Sequence, residues 1–167
     1  LAVDNSPGLH LVAACDLNPQ QLDQAIRDFP SIVTYEDAAA MAENPRIDLV
    51  IVVTAPNSHA MLSMQMMAAG KHVLCDKPMC LSLADADAMT AACEAAGVLF
   101  MVGFVERFNA AFRVLRERIR QGKIGRPVMV SSRRAHPPRK GSWIMDDSKS
   151  GGAFLHTGCH NIDLVQW

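Results

Sequence analysis

Two short apolar runs, a helix length apart, constrain the fold of this chain more than anything else in it. Ile47-Asp-Leu-Val-Ile-Val-Val-Thr54 leads into Ala55-Pro-Asn-Ser-His59, and Gly70-Lys-His-Val-Leu-Cys-Asp-Lys-Pro78 follows one helix later. Parallel strands cannot be closed by a tight turn and need a long crossover. The spacing therefore predicts strands over 47–54 and 72–75 with a helix over 58–69 between them. Ligands of such sheets sit beyond the carboxyl ends of the strands. Asn57, His59, Asp76, Lys77 and Pro78 then share one rim, and Lys77 is its leading candidate for chemistry.

The flanking sequence extends the same alternation. Leu9 to Asp16 reads as a strand ending in an acid, and Asn18-Pro19 starts a helix with a cap and a proline in the first turn. Ser31 to Tyr35 reads as a strand, Glu36 to Glu43 as a short helix, 82–96 as a helix and 98–104 as a strand. Gly70 and Gly97 fall where helices should stop. Regular alternation of strand and helix predicts an α/β fold, a Rossmann-like doubly wound parallel sheet. Beyond Gly103 the pattern changes. A long amphipathic helix is expected over 104–121, a strand over 127–133, a loop over 135–150 rich in Pro, Gly and charge, and a last helix from Gly151. The boundary divides the chain into residues 1–104, the α/β domain, and 105–167, the beginning of a second domain.

Composition removes several classes of function. The formal charge of -1 offers no surplus of cations for nucleic acid. No apolar stretch approaches the roughly 20 residues of a membrane helix. Cys15, Cys75, Cys80, Cys93 and Cys159 form no CxxC pair and are odd in number, which argues against a disulfide framework and for a reducing cytoplasm. Cys75 and Cys159 lie next to the expected site and are points where a thiol modification could act. The chain opens on Leu1 and closes at Trp167 with its apolar pattern unfinished. It is read as an internal fragment.

The motifs, taken together and in order, resemble those of the Gfo/Idh/MocA family of nicotinamide-dependent oxidoreductases. The matching stretches are Thr54-Ala-Pro-Asn-Ser-His59, Ala69-Gly-Lys-His-Val-Leu-Cys-Asp-Lys-Pro78, Val102-Gly-Phe-Val-Glu-Arg-Phe-Asn109 and Gly151-Gly-Ala-Phe-Leu-His-Thr-Gly-Cys-His-Asn-Ile-Asp163. The resemblance implies a dinucleotide-binding domain followed by a substrate domain with a large open sheet, and a homo-oligomer. The family's Gly-rich turn would lie just before Leu1, so its central first strand and phosphate-cradling backbone are outside this sequence.

The resemblance also distributes roles. Asp16, at the end of the second strand of the nucleotide fold, would accept hydrogen bonds from the adenosine ribose and repel a 2′-phosphate, favouring NAD over NADP. The same residue could instead simply end its strand. Thr54, Pro56, Asn57 and His59 would line the nicotinamide or its ribose, although Asn57 could equally cap the next helix. Asp76-Lys77-Pro78 is similar to the family's Glu-Lys-Pro motif with Asp for Glu. Its ammonium would stabilise a substrate alkoxide. His160 matches the family's catalytic histidine, while His156 stands where many relatives carry Asp, leaving open whether one imidazole or two serve as base. His156, His160 and Asp163 share one helix face. Asp163 could orient an imidazole, and Arg107 would lie near the substrate. His156 and His160 supply only half of a zinc set, so no metal is expected. The run Arg133 to Lys140 is either a phosphate clamp or a solvated loop.

The implied activity is NAD-dependent oxidation of a secondary alcohol of a sugar, cyclitol or related polyol to a ketone. An NAD-dependent glycosidase of the same family and a non-catalytic ligand-sensing Rossmann protein are the competing readings.

Overall fold

The alternating strands and helices form in the expected order in the computed structural model, which describes residues 3, 5–135 and 143–167. The strands are β1 (Ala13–Cys15), β2 (Val33–Tyr35), β3 (Leu49–Val52), β4 (His72–Cys75) and β5 (Phe100–Val102). Between them run α1 (Pro19–Asp28), α2 (Ala38–Ala42), α3 (Pro56–Ala68) and α4 (Leu83–Ala96). Every pairing is parallel. Val50 stands opposite Val73, and Val73 opposite Phe100.

Local chemistry sets the helix ends. The Asn18 side chain accepts from Gln20 N with Pro19 in the first turn, Asp37 caps α2, and Ser82 Oγ accepts from Asp85 N at 3.0 Å. Gly97 terminates α4 with φ 64, a left-handed conformation that a side chain would oppose.

The single sheet expected from the pattern is divided in two. β1 pairs with β2, and β3, β4 and β5 form a second ladder. Among the described residues no strand hydrogen-bonds β1 to β3. The two ladders are joined instead through side chains. Met41 and Ala42 of α2 belong to the same buried cluster as Val50, Val52, Met66, Met67, Val73 and Cys75, and Ala13, Cys15 and Tyr35 pack against it.

The second portion departs further from expectation. The helix predicted over 104–121 is broken: Val105–Phe108 is a 3-10 turn, and Asn109 leaves helical geometry to cap α5 (Ala110–Arg120), accepting from Ala111 N at 3.0 Å. The predicted strand over 127–133 is not formed, and Val128 is 96% exposed. Its residues suit a strand, but a strand needs a ladder partner and none of the described residues supplies one. The predicted loop holds a 3-10 turn, Trp143–Met145, and a short helix, α6 (Asp147–Ser150), capped by Asp146. The last helix is α7 (Gly152–Gln166). Among the described residues no helix is long and apolar enough to cross a membrane.

Candidate active site

The rim beyond β3 and β4 is built from side chains with two different duties. Pro56, His59 and Pro78 are buried, whereas Thr54 and Asn57 are exposed and Asp76 and Lys77 half-buried. The cap of α3 is Ala55, with no side-chain hydrogen bond, so Asn57 does not cap the helix and its side chain is exposed. His59, expected to line the cofactor, is only 1% exposed. Its Nδ1 lies 2.8 Å from Pro78 O and its Nε2 2.9 Å from Thr54 O. Pro56 likewise faces the core. These two residues shape the rim and do not line it.

The ladder itself sets the height of Lys77. Asp76 N donates to Val52 O at 2.8 Å, the last rung between β3 and β4, and Asp76 Oδ1 then accepts from Lys77 N at 2.8 Å. The Lys77–Pro78 peptide is cis.

Helix α7 reaches this turn through a glycine. Gly151 has φ 75, and a Cβ there would lie 2.6 Å from Leu155 Cδ2 and 2.9 Å from Leu81 Cδ2. Both the backbone conformation and the contact with Leu81, three residues beyond Pro78, exclude a larger residue. Lys77 Nζ then donates to His156 O at 2.9 Å. The ammonium from the β4 turn thus sits one helical turn from His160 on α7.

His160 is 5% exposed, and its Nδ1 is buried with no hydrogen-bond partner among the described residues. Its ring meets Phe104 edge-on at 6.3 Å. Burial above all, then the Lys77 and Arg134 cations, hold its pKa below the ordinary histidine range, against the opposing pull of Glu106 and Asp76. Burial and a neighbouring cation both favour the neutral imidazole, the form that can accept a proton. His156, half-buried, packs edge-on against Trp143 at 5.5 Å.

Asp163 does not orient an imidazole. Its carboxylate is held by Arg107, with Nε donating to Oδ2 at 2.8 Å and a second bond from the other arm of the guanidinium to Oδ1. That bonding raises the Arg107 pKa. The guanidinium also lies over Phe104 and Trp167, 5.6 and 5.9 Å from the ring centres. Arg107 therefore ties α7 to the segment after β5. Arg134 forms an ion pair with Glu106, which explains one member of the basic run; residues 136–140 of that run lie outside the described residues. Phe104 and Trp143 were the site neighbours least visible in the sequence, since ring walls carry no spacing signal, and Arg134 was read only as part of its basic run. A cavity of about 740 Å³ lies to one side, lined by Phe100, Phe104, Arg107, Arg113, Arg116 and Trp167, and includes neither Lys77 nor His160.

The thiols near the site are not activated. Burial pushes Cys75 up to about 11 and also raises Cys159, so neither is a thiolate at neutral pH and neither suits the modification considered above. Among the described residues no three His, Cys, Asp or Glu side chains gather closely enough to hold a metal.

The donor set suits a dinucleotide. Exposed Asp16 follows β1, with Oδ1 accepting from Asn18 N at 2.8 Å and Oδ2 directed to no described partner, so it can receive ribose hydroxyls. Thr54 and Asn57 offer polar groups on the adjacent strand end.

Comparison with known proteins agrees with this geometry. Residues 1–104 match an oxidoreductase family described as an NAD-binding Rossmann fold, GFO/IDH/MocA, and residues 112–167 match the GFO/IDH/MocA C-terminal domain. The chain is 32% identical to myo-inositol 2-dehydrogenase of Thermotoga maritima over 94% of this chain and 46% of that protein. It is 30% identical to scyllo-inositol 2-dehydrogenase (NAD(+)) of Bacillus subtilis over 99% of this chain and 48% of that one. A solved myo-inositol 2-dehydrogenase of Lactobacillus plantarum superposes with a TM-score of 0.80 at 26% identity, covering 99% of this chain and 50% of that structure. The chain spans about half the length of the curated relatives it matches.

Proposed function

The chain belongs to the Gfo/Idh/MocA oxidoreductase family, and from that premise we propose that the protein oxidises a secondary alcohol of a cyclitol, sugar or related polyol to a ketone with NAD. The observation that carries this reading is the bond from Lys77 Nζ to His156 O, which holds a cation within one helical turn of the buried base His160. Relatives of the chain include inositol dehydrogenases, one of them named for NAD(+).

Asp16 would hold the adenosine ribose, and Thr54, Asn57 and Asp76 would line the nicotinamide side of the rim. Bound NAD supplies the acceptor for the hydride that leaves the carbinol carbon. The Lys77 ammonium keeps N–H groups beyond the one given to His156 O, and directs them at the substrate oxygen. A cation there favours the alkoxide and with it the release of hydride. His160, kept neutral by burial, takes the hydroxyl proton. His156 stands at the edge of the same cleft and borders the substrate. The carboxylate at Asp16 supports NAD over NADP, because a 2′-phosphate would meet a like charge. The same reading keeps the protein a homo-oligomer of a reducing cytoplasm, supported for the second part by five free cysteines.

The test is the Lys77→Ala variant of the full-length protein on a panel of inositols and sugars. NAD binding should persist while NADH formation falls about a hundredfold or more. An unchanged rate would remove the mechanism, and wild-type turnover without net NADH would indicate a hydride that is returned to the product.

A further inference from the structure

The interstrand ladder that carries Lys77 stops one residue too early to hold it. The last backbone rung runs from Asp76 N to Val52 O, and beyond it β3 and β4 give way to the turns that begin at Thr54 and end at Pro78. Pro56 and Pro78 have no N–H, and Lys77 N and Ser58 N are spent within their own turns, on Asp76 Oδ1 and Ala55 O. The gap is bridged by a side chain from the first turn of α3. His59 lies with Nδ1 at 2.8 Å from Pro78 O and Nε2 at 2.9 Å from Thr54 O, almost wholly shielded from solvent. Carbonyl oxygens only accept, so the ring donates its N–H to one of them, whichever the tautomer selects, while its other nitrogen packs against the second.

We infer that His59 is a positioning residue for the reaction: its imidazole clasps the Thr54 turn to the Pro78 turn and thereby sets where the Lys77 ammonium meets the substrate. The inference rests on the oxidoreductase reading for its kinetic consequence, but the clasp itself does not. His59 touches neither substrate nor cofactor. It acts through two carbonyls, one on the turn that presents Thr54 and Asn57, the other next to Lys77. Displacing a reacting group by about an ångström can cost about a hundredfold in rate, so the clasp matters to turnover out of proportion to its two contacts.

The experiment compares full-length wild type with His59→Phe, which fills the space without donors, and His59→Gln, whose amide can donate to one of the carbonyls. Hydrogen exchange by mass spectrometry should show peptides covering 53–58 and 76–81 exchanging about tenfold faster in His59→Phe, with peptides over 84–96 of α4 unchanged. In the same variant kcat should fall about tenfold to a hundredfold while KM for NAD moves less than about threefold, and His59→Gln should recover part of the loss. Unaltered exchange in both turns, or a uniform rise across all peptides, would overturn the clasp even if no polyol proves to be a substrate. Faster exchange in the turns with kcat intact would overturn its positioning role. Wild type that turns over no polyol would count against the functional reading alone, with the exchange data still deciding the clasp.

Discussion

The strand ends of the first half and the segments of the second half present chemistry in opposite ways. Lys77 stands on a turn anchored by parallel ladder bonds, the buried side chains Met66, Met67, Val73 and Cys75, and the His59 contacts. The second half places His160 with far less behind it. α5 has no buried residue, the segment 127–133 joins no sheet, and α7 is tied by separate features, among them the close approach of Gly151 to Leu81, the Lys77 bond to His156 O, the Arg107 pair with Asp163 and the Arg116 bond to Trp167 O. Lys77 is thus fixed by a core and His160 by a few polar and steric ties. A site of this construction is as precise as its weaker wall, and the ties across the cleft set its geometry more than the ladder does.

The contrast can be broken most directly at the core. Met67→Ala, at a position with no exposed surface, should destabilise the protein by about 2–5 kcal/mol in denaturant unfolding, because the packed ladder cannot close the void. Smaller is the cost of loosening the second half. Asp163→Asn removes the charged partner of Arg107 and should cost about 1–3 kcal/mol, with a loss of kcat exceeding the loss of NAD affinity. The electrostatic link between the halves is open to a pH profile. Since burial and the Lys77 and Arg134 cations depress the His160 pKa, kcat/KM should rise with pH through a midpoint below about 6.5 and stay level above it. Arg134→Gln removes one of those cations and should move the midpoint upward; an unmoved midpoint would separate Arg134 from the base. The smallest effect sharpens the contrast from the other side. Leu115→Ala on α5, at a half-exposed position, should change stability by less than about 0.5 kcal/mol.

Much of the site was legible from local pattern. Lys77 could be placed on a rim because apolar runs of strand length end at Thr54 and Cys75, and His156 and His160 on one face because they are one turn apart. Partners were not legible in the same way. Nothing in the spacing of Asp163 distinguishes an imidazole from the Arg107 guanidinium 56 residues earlier. His59 read as a ligand contact because polar residues after a strand usually face solvent, yet α3 turns it inward onto two loop carbonyls. Asn109 was read among the charges of one long helix, although a side chain that can accept from the second N–H after it is a natural break.

The sequence by itself determined the order of strands and helices, their parallel sense and the end of the sheet at which polar groups collect. Those follow from hydrophobic period, capping residues and crossover length, all short-range properties. Only the tertiary structure decided that the strands form two ladders and not one, that 127–133 stays unpaired, that Arg107 takes Asp163, and that Lys77 meets the His156 carbonyl one turn before His160. Pairing is a competition among groups distant along the chain, settled by which of them packing brings within hydrogen-bond reach, and no local pattern records that outcome.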